Sequence, residues 1–341
     1  MTIPSFQQDV WNRLVRLAEQ APHTLLLHGP QGVGKLQLAE RFAQLLLCEA
    51  ARPRTAPCGS CDGCRWFLAG HHPDVRFVEP EAIAFEDRQE RSGDSSFLRA
   101  NREAARTRFE EDKKRTKPSA EIRIEQARGL ADFLNLGSHR GGKRIVLVHP
   151  AEAMNPITAN GLLKSLEEPP ESAMFLLVSH RPARLLPTMR SRCVSVPVPL
   201  PNAAAAQAWL DSQGVRDAAR RLAFAGGAPL KALEDAKGER AGRVDQILRA
   251  LGSNDLERLE GARDRETLEL LAEVLQRCAC DRALASFGLP PKYGCEGVSR
   301  AGTSREWLAY ARTLGDDRAL ARHPLNPGLH ATAMLEGLPR K

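Results

Sequence analysis

Residues Gly29-Pro30-Gln31-Gly32-Val33-Gly34-Lys35-Leu36 follow the phosphate-binding pattern G-x-x-x-x-G-K-[ST] as far as its last position. In that pattern backbone N–H groups curl around phosphates, the lysine meets terminal phosphate charge, and the closing hydroxyl ligates Mg²⁺. Gly29, Gly32, Gly34 and Lys35 form a candidate nucleotide-binding loop, but Leu36 stands where the hydroxyl belongs. A leucine side chain has no atom that ligates a metal. A loop ATPase also places an acidic pair at the end of a neighbouring strand, one acid for Mg²⁺ and one to orient water. The apolar run at 145–148 is the strand to inspect, and His149 and Pro150 follow it. Proline carries no acid, and neutral imidazole is a poor ligand for hard Mg²⁺. Glu152 lies past the strand end and reads as a surface residue.

A second group of residues has metal-ligand spacing. Four of the eight cysteines, Cys48, Cys58, Cys61 and Cys64, fall in one C-x₉-C-x₂-C-x₂-C cluster. Clustered cysteines in a reducing compartment argue for metal before disulfides. Three thiolates on a tight knuckle, closed by Cys48 at the end of a helix, suit a tetrahedral Cys₄ zinc site; free thiols are the alternative. Four protein ligands leave no open position, so such a zinc is structural. Trp66 and Phe67 follow at once and are expected to pack the module. Cys193, Cys278, Cys280 and Cys295 are scattered and read as buried small apolar residues.

The elements that must position these groups are legible from periodicity. Phe6, Val10, Leu14 and Leu17 recur at helical spacing. Thr24–His28 reads as a buried strand feeding the glycine loop, with a helix over 36–47 behind it, which is the context a phosphate loop needs. Further strands are predicted at Val75–Val78, 145–148, 174–178 and 194–196. A helix is predicted over 125–136, and another from Pro156, N-capped by Asn155, to the break at Pro169-Pro170. Strands alternating with helices indicate a parallel α/β sheet. Residues from about 80 to 120 carry many charges and few apolar anchors. They read as a solvated, partly disordered insertion, with Arg99, Arg102 and Arg106 on one helix face as the alternative. Beyond a hinge at 197–201 the pattern is helical throughout.

Two longer runs carry a resemblance. Asn160-Gly161-Leu162-Leu163-Lys164-Ser165-Leu166-Glu167-Glu168-Pro169-Pro170 and Leu186-Pro187-Thr188-Met189-Arg190-Ser191-Arg192-Cys193 strongly resemble clamp-loader subunits of the AAA+ class. The cysteine module fits the bacterial members, and His72-Pro73-Asp74 and His323-Pro324-Leu325-Asn326-Pro327 are further echoes. The resemblance covers nearly the whole chain outside 80–120. It implies an AAA+ P-loop parallel sheet domain at 1–198, holding the Cys₄ zinc module at 48–64 and the charged insertion. A small helical lid domain at 199–242 and an all-α C-terminal oligomerisation (collar) domain at 243–341 follow.

By the same resemblance, His149-Pro150 replaces an Asp-Glu pair, Ser179 stands at a polar sensor position, and Leu230, beside Lys231, stands where active members carry a nucleotide-touching arginine. These losses, with Leu36, imply a subunit that does not hydrolyse ATP, although the loop could still bind it. Arg192 is intact, and the family uses it in trans on the ATP of a neighbouring subunit. A surface salt bridge is the alternative for Arg192, and Arg190 is the less favoured finger. The implied partners are other clamp-loader subunits (ATPases of the gamma/tau type, and delta), a sliding clamp and primer-template DNA in replication.

At 341 residues the chain is long for one core, and a net charge of +7 is compatible with nucleic acid. No apolar run approaches the roughly 20 residues of a membrane span. The opening Met-Thr-Ile-Pro-Ser has no basic-then-apolar signal, so a cytoplasmic location is expected. Two other function classes remain open: an active AAA+ ATPase with atypical Mg²⁺ ligands, and a zinc-containing DNA-binding protein.

Overall fold

The computed structural model describes residues 3–20, 22–51, 55–85, 95–111, 117–135, 137–140, 142–256, 259, 264–295, 302–320 and 326–339. His323, Pro324 and Leu325, and 86–94 and 112–116 of the charged segment, lie outside the described residues. The chain divides into two compact units, residues 1–205 and 206–341.

In the first unit β1 (Thr24–His28), β2 (Val75–Val78), β3 (Arg144–Val148), β4 (Ala173–Ser179) and β5 (Val194–Pro197) form one parallel sheet in the order β2-β3-β4-β1-β5. Every residue of β3 and β4 is buried, as expected of central parallel strands covered on both faces. Around the sheet lie α1 (Gln8–Gln20), α2 (Lys35–Leu47), α3 (Asp62–Leu68), α4 (Glu81–Phe85), α5 (Ser96–Glu111), α6 (Ile124–Asn135), α7 (Pro156–Glu167) and α8 (Pro187–Arg190). The start of α7 is as predicted: Asn155 accepts the Thr158 N–H at 2.9 Å, and Pro156 holds the first helical position. In α1 the inward residues are Trp11 and Leu14.

The charged segment corrects the sequence reading. Residues 96–111 are a helix, not solvated coil, and its opening Phe97 and Leu98 are buried. Phe97 stacks on Phe67 with ring centroids 4.3 Å apart. Arg102 is buried and meets both oxygens of Glu79 at 2.8 and 3.1 Å. Composition hides such a pair, because the charge that neutralises Arg102 comes from the end of β2. The His72-Pro73-Asp74 stretch is also structural. Asp74 is buried and accepts the Ser138 hydroxyl at 3.0 Å and the His139 N–H at 2.9 Å, tying the turn before β3 to the entry of β2.

The second unit is helical: α9 (Ala203–Ser212), which begins in the first unit, α10 (Ala218–Phe224), α11 (Pro229–Lys237), α12 (Arg240–Ser253), and the helices Arg265–Ser286, Ser304–Leu320 and Pro327–Glu336. The expected lid–collar boundary at 242/243 falls in the first turn of α12. The core of the unit includes Val244, Leu248, Leu271, Leu275, Trp307 and Leu314. Glu273, with a side chain only 5% exposed, sits among four cations: Lys231 at 3.2 Å, Arg240 at 2.7 Å, Arg318 at 3.2 Å, and Arg277 on its own helix. Burial alone would push this carboxyl up; the cations Lys231, Arg277, Arg240 and Arg318 more than offset that and hold it at about 2. Removing the carboxylate leaves their charges facing one another. Glu273→Ala is therefore expected to cost about 3–5 kcal/mol in urea unfolding of the full chain. A loss under 1 kcal/mol would show that the hub contributes no stability.

With the glycine loop between β1 and α2, the cysteine module behind α2 and the helical second unit, this is the architecture the AAA+ resemblance implies. No helix among the described residues is long and apolar enough to cross a membrane.

Candidate functional site

The glycine loop is held in shape by its own sequence. Gly34 caps α2 with φ 89°, a left-handed backbone that glycine adopts without strain. Gly29 (φ 150°) approaches the outlet of β5 so closely that a Cβ would stand 2.1 Å from the Val198 carbonyl oxygen. From the turn Ser5–Gln7, Gln7 Nε2 donates to the Val33 carbonyl at 2.6 Å and buttresses the loop. Lys35 is buried, and its Nζ donates to the Gly29 carbonyl at 2.8 Å and to that of Pro30. Burial pushes its ammonium down to about 8, with Glu152 opposing. The lysine that the motif assigns to phosphate charge is thus bonded within its own loop. Leu36, buried in the first turn of α2, offers only apolar surface at the hydroxyl position.

Beside the loop, at the C-terminal edge of the sheet, the ends of β3 and β4 meet, since Val148 pairs with Leu177 and His28 with Ser179. Ligands of open parallel sheets bind at this edge. His149 Nε2 lies 3.2 Å from His180 Nε2, the rings edge-to-face, so one nitrogen donates and the other accepts. Burial, reinforced by the charge of Lys35, pushes His180 down to about 4 and keeps it neutral at pH 7. Ser179 is buried, and its Oγ accepts the Arg181 N–H at 3.2 Å.

Glu152 is a correction. It is half-buried rather than a surface residue, and its Oε1 accepts the N–H groups of His180 at 2.9 Å and Arg181 at 3.1 Å. Its position past the strand end is what lets it reach back to the loop after β4. Its second oxygen is buried with no hydrogen-bond partner among the described residues. Where an ATPase sets oxygen ligands for Mg²⁺, this edge presents paired imidazoles, and Glu152 spends one of its two oxygens on the backbone. In the second unit Leu230 is half-buried in α11, and Lys231 is paired with Glu273.

Arg192 follows α8 on an exposed corner. Its Nη1 donates to the Thr188 carbonyl at 2.7 Å, and its Nη2 pairs with Glu167 at the end of α7. The surface ion pair left open by the sequence is therefore present. Arg190 is also exposed.

The sulfurs of Cys48, Cys58, Cys61 and Cys64 all lie within 4.8 Å of one another, with Cys58 and Cys64 4.0 Å apart. Tetrahedral zinc with Zn–S of about 2.3 Å requires sulfurs about 3.8 Å apart, so the donor set fits a metal. Backbone N–H groups of Glu49, Cys58, Cys61 and Cys64 each reach a sulfur of the cluster at 3.4 Å. Donors from Cys61 and Ser60 pull the Cys58 thiol down to about 5, whereas burial pushes the Cys64 thiol up. Four thiolates this close need a dication to coexist. Arg140 clamps the module to the turn before β3, meeting both Glu49 oxygens at 2.8 and 3.0 Å and lying over the Trp66 ring. Trp66 and Phe67 thus pack the module. Of the scattered cysteines, Cys278 and Cys295 are buried, Cys193 and Cys280 half-buried.

The sequence reading missed four contacts: Gln7 on Val33, Glu152 on the loop after β4, the His149–His180 pair, and Glu167 on Arg192. The histidine pair had a signal, because both follow predicted strands whose ends share one edge. The other three join segments whose approach only the folded chain shows.

The sequence is similar to those of known proteins. The model of the family described as DNA polymerase III, delta subunit, matches residues 6–201, more than half of the chain. The DNA polymerase III subunit delta' of Pseudomonas aeruginosa is 40% identical over 232 residues, 67% of this chain and 59% of the relative. The tau subunit of Escherichia coli DNA polymerase III is 31% identical over 172 residues, 50% of this chain and 21% of the relative. The matches span about half the length of the delta' relatives. Among solved structures, a DNA polymerase III gamma subunit-related protein of Thermotoga maritima superimposes with a TM-score of 0.49 at 18% identity, covering 96% of this chain and 98% of its own. The extent of the family match over the sheet unit, with its glycine loop and cysteine module, shows that the chain belongs to the DNA polymerase III delta subunit family.

Proposed function

We propose that the chain is a non-hydrolysing subunit of a DNA polymerase III clamp loader, of the delta' kind, which helps place a sliding clamp on primed DNA. It has no ATPase of its own; it completes a neighbour's ATP site by donating Arg192 as an arginine finger. The observation that carries this reading is the contrast between two corners of one sheet unit. The glycine-loop corner has Leu36 and the His149–His180 pair at the positions of metal ligands, with Lys35 bonded inward. The Arg192 corner keeps its full motif and stands exposed. A permanently charged, planar guanidinium suits a γ-phosphate across a subunit boundary.

In this reading the loop residues Gly29, Gly32, Gly34 and Lys35 are a degenerate nucleotide site, at which ATP binds without turnover if it binds at all. Cys48, Cys58, Cys61 and Cys64 hold a structural zinc. Residues 1–198 are the AAA+ domain, 199–242 the lid, and 243–341 the collar that joins the other subunits. Its partners are gamma/tau-type ATPase subunits, delta, the clamp and primer-template DNA, in the cytoplasm.

The test is ATP turnover by the purified chain alone, and then in an assembly reconstituted with its ATPase partners. The chain alone is expected to show none above background, while the assembly needs it for full DNA-stimulated turnover. Turnover by the chain alone that disappears in Lys35→Ala would overturn the proposal in favour of an active ATPase.

A further inference from the structure

The corner that carries Arg192 contains a carboxylate whose place local helix chemistry does not explain. Glu167 is the last residue of α7, and Glu168 follows it as the C-cap. Acidic groups are disfavoured there, because unsatisfied carbonyls already make a helix C-terminus negative. Residues that break a local rule without a local gain are the ones to examine for function. Glu167 Oε1 meets Arg192 Nη2, and the Thr188 carbonyl takes Nη1 at 2.7 Å, with Ser191 Oγ at 3.4 Å from the same nitrogen. The guanidinium is thus held between the end of α7 and the turn of α8.

We propose that Glu167 is a positioning residue for Arg192, fixing the fork in the pose that meets a neighbour's triphosphate; this rests on the finger reading above. The two side chains are 33% and 44% exposed, for Arg192 and Glu167 respectively. A pair so exposed adds little to stability, so stability does not account for it. An arginine on an open corner otherwise samples many rotamers, and each must be given up when it engages phosphate. Glu167 and Thr188 restrict that search in advance. The fork has five N–H donors, more than these three acceptors use, so it can stay anchored while it points at a phosphate. One carboxylate on one side of the guanidinium leaves its Coulombic attraction for a polyanion dominant.

The experiment uses the full chain in the reconstituted assembly, with ATP turnover measured in the presence of primed DNA. Glu167→Ala is expected to lower kcat about tenfold, a coupling typical of residues in contact, with KM for ATP unchanged. Glu167→Gln, which keeps an acceptor oxygen, recovers part of the loss. In an Arg192→Ala background Glu167→Ala has no further effect, whereas a merely structural role would add its own cost. Unchanged turnover in Glu167→Ala, with Arg192→Ala strongly impaired, overturns the positioning role alone. A rise in turnover also overturns it, since the carboxylate would then be restraining the finger. If Arg192→Ala itself is without effect, the finger reading is what fails, and the positioning role falls with it.

Discussion

Arg192→Ala is expected to leave the chain folded and assembled, yet lower ATP turnover at the site it serves by about 10³-fold or more, the range measured for arginine fingers. The physical reason is the transition state of phosphoryl transfer. Charge spreads over the transferring oxygens, and a rigid cationic fork placed there in advance stabilises it without reorganisation. The corner is built for such a group. Arg192 is displayed beyond α8 at an exposed position, anchored by Thr188 and Glu167. Thermal unfolding of the variant should match the parent chain, because an exposed ion pair contributes about 0–1 kcal/mol. Arg192→Lys is expected to recover little, since an ammonium cannot make the planar two-pronged contact. Single-turnover measurement on the assembly, with nucleotide binding followed separately, distinguishes lost chemistry from lost affinity. Equal rates for Arg192→Ala and the parent assembly would remove the assignment.

The sequence displays the sheet and hides much of the site. The three inner strands β1, β3 and β4 carry apolar runs, because a parallel strand buried on both faces must be apolar along most of its length, whereas the edge strands β2 and β5 admit Arg76 and Ser195 at exposed positions. Leu25-Leu26-Leu27 and Ile145-Val146-Leu147-Val148 need no tertiary information to be read. The α7 start is legible for a similar reason, as Asn155-Pro156 encodes its cap locally. What local reading cannot supply is a charge neutralised from far along the chain. Arg102 looks like one more solvated arginine until Glu79 is placed against it, and the helix Ser96–Glu111 therefore looked unstructured by composition.

The same limit governs the candidate site. Leu36 and His149-Pro150 announce themselves because a motif fixes what each position should be. Glu152 has no motif, and its role depends on the loop after β4 folding back to within 3 Å of it. Glu167 lies inside a recognised run, yet its partner, 25 positions on, becomes evident only when α7 and α8 are set side by side. Motif residues were thus found by type, and the residues that hold them by packing.

The second large effect concerns the cysteine module, which should carry about one equivalent of zinc and lose it in Cys61→Ser. Cys48 terminates α2, the helix whose first residue is Lys35, and Cys61 and Cys64 open α3, whose Phe67 packs on Phe97. A metal held there would join the glycine-loop helix to the segment leading into β2. Without it nothing offsets the crowding of four sulfurs within 4.8 Å of one another, and a neutral thiol accepts the four backbone N–H groups more weakly than a metal-bound thiolate. Structural zinc supplies about 10–16 kcal/mol of apparent binding energy in small modules at neutral pH. Here Arg140, bound to Glu49 and stacked over Trp66, holds part of the module without the metal, so several kcal/mol is the expected loss in the full chain. Metal content by mass spectrometry, with thermal unfolding before and after chelation, measures both quantities. Cys193→Ser, outside the cluster, should keep its zinc. A chain that purifies without metal and unfolds at the same temperature with or without chelator would reduce the module to packed thiols. If zinc is present, Cys61→Ser should unfold earlier than the parent chain. Its remaining three thiols leave the fourth metal position open to solvent, so the ion is no longer enclosed by the protein and is lost on purification.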